Sequence, residues 1–177
     1  MTRKRAIILL AISTAALAVF LTAIDPSTEA DGNPTIVDFE FAWDEEGAAE
    51  IRADWGEEGR DAARLSLWVD FAYLLSYGVL LVLASAATRD LAIRRGWRRM
   101  VAVGAAAVPA GGAGAAFDAI EDVWLLIVLG GSGGDLGPAL AAICATLKFA
   151  LTGFAILYIL AGLVLRVTRR TPAGAPA

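Results

Sequence analysis

Four long apolar runs alternate along this chain with segments dense in charge. The first, Ala6 to Ile24, is 19 residues without a charge. As a helix it is about 28 Å long, close to the thickness of a bilayer core. The second, Leu65 to Thr88, is interrupted only by Asp70. The third, from about Met100 to Leu129, contains Asp118, Glu121 and Asp122, and the fourth, Pro138 to Leu165, contains Lys148. Pro138 suits a first helical position, where its missing N–H is no loss. The pattern predicts an all-α membrane protein, an up-down bundle of four transmembrane helices. The spans fall at about 6–24, 65–88, 100–129 and 138–165, within one membrane domain covering 1–177.

Between the first two spans the pattern changes. Asp25 to Pro34 reads as irregular, rich in Pro, Gly, Ser and Asn. In Thr35 to Ala42, Val37, Phe39 and Phe41 alternate with Asp38 and Glu40, which predicts a short strand or an amphipathic turn. From Asp44 to Trp55 the apolar Ala48, Ile51 and Trp55 recur at helical spacing, and Gly56 is placed to close that helix. A new helical start at Gly59 leads into the second span. The loop 25–64 is therefore expected to form a small amphipathic cap on the outer membrane face. The tail 171–177 reads as disordered.

Charge turns this pattern into a topology. Thirteen of nineteen acidic residues lie between Asp25 and Asp61, and eleven of fifteen basic residues lie in Arg3–Arg5, Arg89–Arg99 and Arg166–Arg170. Lys and Arg concentrate on the cytoplasmic side of short loops. With four spans all three basic segments share one side, so both termini are expected in the cytoplasm and the acidic cap outside. A bacterial cytoplasmic (inner) membrane fits this arrangement. Trp68 and Trp124 near the outer ends, and Trp97 in the inner loop, suit interfacial anchors. Thr2 to Arg5 followed by an apolar run also resembles a secretory signal peptide, but the run is long for one and Thr28-Glu29-Ala30 is a poor cleavage motif.

Composition excludes several chemistries. Mean hydropathy is +0.63, with a single cysteine, Cys144, and no histidine. A lone cysteine forbids an internal disulfide and a two-thiol redox cycle. Without histidine the commonest transition-metal ligand and proton shuttle are missing, leaving an oxygen-only site for a hard cation as an open alternative. No cofactor and no metal are expected, and membrane lipids rather than nucleic acid are the expected partners, with a protein partner at the cap as a further possibility.

The candidate chemistry lies inside the spans. Each ionisable group at a helix centre costs about 2.5–3.5 kcal/mol on insertion scales. Asp70, Glu121 and Lys148 fall roughly 12, 13 and 15 Å from the outer helix ends at 1.5 Å per residue. Three helices thus carry charge at one level in the outer half of the bilayer. Faces agree with depths: Ser66, Asp70, Tyr73 and Tyr77 form one stripe, and Cys144, Lys148, Thr152 and Ala155 another. Gly111, Gly114, Ala115, Asp118, Glu121 and Asp122 share a broad face, with small residues that permit close helix approach. Asp70, Tyr73, Tyr77, Asp118, Glu121, Asp122 and Lys148 are the candidate site. Four intramembrane carboxylates face one ammonium, so water, a cation or protonation must offset the excess. The alternative is a Lys148–Asp118 or Lys148–Asp70 pair that only fixes register, with Glu121 and Asp122 snorkelling outward. Val108 to Gly114, one proline with three glycines, is expected to kink the third helix or even break it.

Ile36-Val37-Asp38-Phe39-Glu40, Ala53-Asp54-Trp55-Gly56, Leu67-Trp68-Val69-Asp70-Phe71, Phe117-Asp118-Ala119-Ile120-Glu121 and Leu147-Lys148-Phe149 together resemble a scattered group of small, uncharacterised bacterial four-span membrane proteins. That resemblance implies no activity. A looser analogy links the bundle to emopamil-binding-protein-like sterol isomerases and membrane terpene cyclases, whose acidic pockets hold lipids, but this chain lacks a histidine to match the isomerases. The expected function is binding of a lipid-like or cationic small molecule in an outer-half polar pocket. An accessory subunit with structural charges, and an enzyme acting on an isoprenoid or lipid, are the alternatives. A pocket requires a cavity beside Lys148; an accessory role predicts a filled core and an exposed apolar patch on the cap.

Overall fold

The structure is a computed structural model that describes residues 2–28 and 32–168. The tail 171–177 lies outside the described residues, as do Glu29 and Ala30 of the cleavage motif. Five α-helices follow one another: α1 (Arg3–Ala23), α2 (Ile36–Glu40), α3 (Glu45–Arg94), α4 (Arg98–Leu129) and α5 (Leu136–Thr168). A single 3-10 turn, Pro26–Thr28, follows α1, and no strand occurs among the described residues. The helices α1, α3, α4 and α5 are long and apolar enough to cross a membrane, and each expected span falls within one of them, bar the last residue of the first.

Helix α4 packs along both α3 and α5, which makes these three the body of the bundle. Small residues set that spacing. A Cβ on Gly111 would meet Leu81 Cβ at 2.7 Å, and one on Gly114 would meet Thr152 Cγ2 at 2.6 Å. The glycines thus bring backbones together below the acidic level, as the sequence pattern predicts. Helix α4 passes Pro109 without interruption, so the expected break is not formed. In a membrane helix, neighbouring groups can absorb the bond that proline removes.

Helix α1 is peripheral. It packs chiefly on α3 and buries no residue of its own. Its polar tie is Thr14 Oγ1 to Ser76 Oγ at 2.9 Å. At the end away from the cap, Arg3 Nη1 meets Asp90 Oδ2 at 2.7 Å, so the basic start of the chain lies beside the basic α3–α4 turn.

Helix α3 has 50 residues, about 75 Å, against a bilayer core of about 30 Å. Its first part therefore belongs to the cap. Gly56, at φ 61° and ψ −154°, breaks the helical path where the sequence places a stop, but the helix resumes directly rather than at Gly59. The cap core joins Phe39, Ala48 and Trp55 to Leu67 of α3 and to Leu125, Val128 and Leu129 at the end of α4. Trp55 Nε1 donates to Pro34 O at 2.6 Å. Arg52 Nη1 donates to Val128 O at 2.8 Å, placing a cation on the carbonyl end of α4 as the helix dipole favours.

The segment expected as a strand or turn is helix α2. Thr35 and Asp38 form a reciprocal capping box: Thr35 Oγ1 accepts from Asp38 N (3.2 Å) and Asp38 Oδ2 from Thr35 N (2.8 Å). The consequence is large. In a strand Phe39 and Glu40 would face opposite ways, whereas in a helix successive side chains are only about 100° apart. Both point into the protein and both are buried.

Candidate functional site

The stripes of α3, α4 and α5 meet at one level, as the depth estimates predict. Lys148 is at its centre, 8% exposed. Its Nζ donates to Glu121 Oε1 at 2.9 Å and lies 2.9 Å from Asp118 Oδ1. A third carboxylate, Glu40 Oε2, approaches to 3.2 Å from the cap. The ring of Phe149 is 5.0 Å from the same ammonium. Lys148, on α5, is therefore bound by α4 and by the cap at once.

Neither simple pairing expected for Lys148 is the whole arrangement. Asp118 is a partner but one of three, and Asp70 is not an ion-pair partner among the described residues. Glu121 and Asp122 do not snorkel: they are 0% and 2% exposed. They lie on the packed face of α4, whereas a snorkelling chain needs a path to water.

Glu40 is the member missing from the sequence candidates. Reading its segment as a strand or amphipathic turn, with Val37, Phe39 and Phe41 opposite Asp38 and Glu40, puts it on the polar side. The Thr35–Asp38 spacing was the available signal, since a capping box announces a helix start. Burial pushes the Glu40 carboxyl above its ordinary value of 4.5, while Lys148 pulls it back less strongly.

Tyr77 and Tyr73 complete the α3 stripe. The Tyr77 hydroxyl donates to Asp118 Oδ2 at 2.7 Å, so Asp118 is held on one oxygen by a neutral donor and approached on the other by Lys148. The Tyr73 ring packs against that of Tyr77 in a tilted arrangement, centroids 5.1 Å apart. Asp70, on the same stripe of α3, lines the same cavity as this pair. One oxygen each of Asp70, Asp118 and Asp122 lies within 4.8 Å of the others. Two full charges at that separation repel by roughly 3.5 kcal/mol at an effective dielectric near 20. Lys148 touches only one of the three.

Two cavities reach this level. The first, about 500 Å³, opens between α1 and α5, where those helices hardly touch. Its floor carries Glu40, Asp70, Asp118 and Lys148, and its walls carry Leu80, Leu81 and Ile156, with Thr14 across from them on α1. The second, about 450 Å³, lies at the cap end of α1. Hydroxyl and carboxylate groups dominate its polar wall, among them Thr22, Asp25, Ser66, Asp70 and Asp122. Asp70 and Glu40 border both. A cavity beside Lys148 is what a binding function requires. The cap does expose Val37 and Trp43.

No family model, curated protein or solved structure matches this chain.

Proposed function

We propose that the cavity between α1 and α5 binds an amphiphile with a positively charged headgroup and an apolar tail. One observation carries this reading: a single cavity joins an acidic floor to an apolar wall. The floor has three carboxylates and one ammonium, so a cation gains there what an anion loses. The wall continues toward Phe149 and Ile156, both exposed on the outside of α5 where lipid tails would lie. The volume of about 500 Å³ falls in the ordinary range for small-molecule sites. Asp70 and Asp118 supply the charge, while Tyr73 and Tyr77 present hydroxyls and ring faces to an ammonium. The basic segments 3–5 and 94–99 lie at the end away from the cap. By the positive-inside rule this orients the cap outward and both termini into the cytoplasm of a bacterial inner membrane, with the cavity in the outer half.

The test compares two amphiphiles of equal chain length, an alkyltrimethylammonium and an alkyl sulfate, added to purified protein in a neutral detergent and followed by native mass spectrometry. The ammonium compound should be retained and the sulfate should not. Leu80→Trp, which fills the apolar wall, should abolish retention, and Asp70→Asn should weaken it. Equal retention of the two headgroups, or retention unaffected by Leu80→Trp, sinks the proposal.

A further inference from the structure

The second cavity leads to a different chemistry. Asp70, Asp118 and Asp122 direct three oxygens to within 4.8 Å of one another, and of the three only Asp118 touches the Lys148 ammonium. Lys148 serves the other side of the level, where it holds Glu40, Asp118 and Glu121. Asp122 is 2% exposed, and its Oδ2 has no hydrogen-bond partner among the described residues. That residue faces the cap-side cavity, whose wall also carries Asp70 and Ser66. A buried carboxylate oxygen without a donor, beside two further carboxylates, is the arrangement a bound cation completes.

The donor set restricts the ion. Every candidate ligand is an oxygen, and the chain has no histidine, which favours hard cations over zinc, copper or iron. Three carboxylates favour a divalent ion over a monovalent one. Oxygens all within 4.8 Å of one another are close enough to share one ion. Magnesium dehydrates reluctantly and is seldom held by protein ligands alone, which favours calcium. Access comes from the polar cavity at the end of α1, where Asp25 and the hydroxyls of Thr22, Thr28 and Ser66 line the approach.

We infer that Asp70, Asp118 and Asp122 form a binding site for a hard divalent cation such as calcium, entered from the cap side, with water and the Ser66 face completing its coordination. The site shares Asp70 and Asp118 with the amphiphile reading, but Asp122 borders the cap-side cavity and not the lateral one, so its replacement tests the cation site alone.

The experiment uses the full chain in neutral detergent at constant pH, stripped with chelator and then titrated with calcium, magnesium or sodium chloride. Thermal unfolding is followed by exposure of Cys144, the lone and buried thiol, and calcium binding by equilibrium dialysis. Calcium should raise the unfolding temperature saturably with one ion bound per chain, magnesium should act more weakly, and sodium should act only at ionic-strength levels. Asp122→Asn and Asp70→Asn should each raise the half-saturating calcium concentration by at least about tenfold, as loss of one of three charged ligands requires. The chelated variants should unfold no earlier than the chelated wild type, since each removes a repelling charge. Leu80→Trp, which blocks only the lateral cavity, should leave the calcium response unchanged. Absence of calcium binding to the wild type overturns the inference, as does a calcium response undiminished in both carboxylate variants.

Discussion

Replacing Lys148 with methionine preserves the length of the side chain and removes its charge. The structure sets the size of the effect. Three carboxylates lie 2.9 to 3.2 Å from Nζ, and the hydrogen bond to Glu121 Oε1 is the one that residue has among the described residues. Removing one partner of a buried ion pair costs about 3–5 kcal/mol. With Glu121 wholly buried and its other oxygen already unpartnered, Lys148→Met belongs at the upper end of that range. The second-site variants should then rank in a definite order. Asp118→Asn restores little, because Asp118 keeps the Tyr77 donor and Glu121 remains stranded. Glu121→Gln in the Lys148→Met background restores more, because it neutralises the carboxylate that Lys148 alone satisfied. Unfolding by denaturing detergent, read through labelling of Cys144 one turn from Lys148, gives these differences. A cost below about 1 kcal/mol for Lys148→Met would place the ammonium in effectively aqueous surroundings. Full rescue by Asp118→Asn, with none from Glu121→Gln, would show that a simple Lys148–Asp118 pair holds the level together.

Two further predictions address the cap. The Glu40 carboxyl is raised above 4.5, chiefly by burial, so the folded state binds its proton more readily than the unfolded chain. That share of stability is fully present below the unfolded value and is lost as pH rises through the folded one. Glu40→Gln should therefore flatten the fall in unfolding temperature as pH rises above about 4.5, and an unchanged slope would show that Glu40 does not titrate in the folded protein. Gly56→Ala meets no neighbouring atom, yet φ 61° with ψ −154° is a backbone region that is essentially glycine's alone. It should cost about 1–3 kcal/mol and raise Trp55 fluorescence quenching by a soluble quencher; a silent substitution would mean the helix can pass position 56 without its break.

The membrane part of the fold was legible because it rests on one dominant rule. Lipid forces each crossing segment to be apolar and helical, so run length and helical periodicity place the spans and turn Asp70, Asp118 and Lys148 toward one another. The cap obeys several weaker rules at once. A five-residue stretch such as Ile36–Glu40 satisfies strand alternation and helical spacing equally well, and only its capping residues decide between them. Reading the alternation as a short strand or amphipathic turn concealed Glu40. The partition of Lys148 was illegible for another reason. Asp70, Asp118, Glu121 and Asp122 lie on adjoining faces at similar depth, and a helical projection locates a face to within tens of degrees. Which carboxylates lie 2.9 Å from an ammonium, and which crowd one another instead, depends on packing that the Gly111 and Gly114 contacts set.

The stoichiometry of this level bears on whether packing alone explains it. One buried pair suffices to fix the register of two helices, as single polar residues do in coiled coils. Lys148 with Asp118 would serve α4 and α5 in that way. Glu121 and Glu40 add carboxylates to the same ammonium, and Glu40 extends the tie from the membrane helices to the cap. A structural purpose accounts for those three. It does not account for Asp70 and Asp122, which touch no cation among the described residues, crowd Asp118 and line cavities instead of a packed seam. Each carries an insertion cost of about 2.5–3.5 kcal/mol at the helix centre with no internal compensation. Asparagine at either position would fill the same space without the repulsion. As acids, both call for water, a proton or a cation to offset the excess charge, and the cation site inferred above is the answer that uses these two residues and not the Lys148 network.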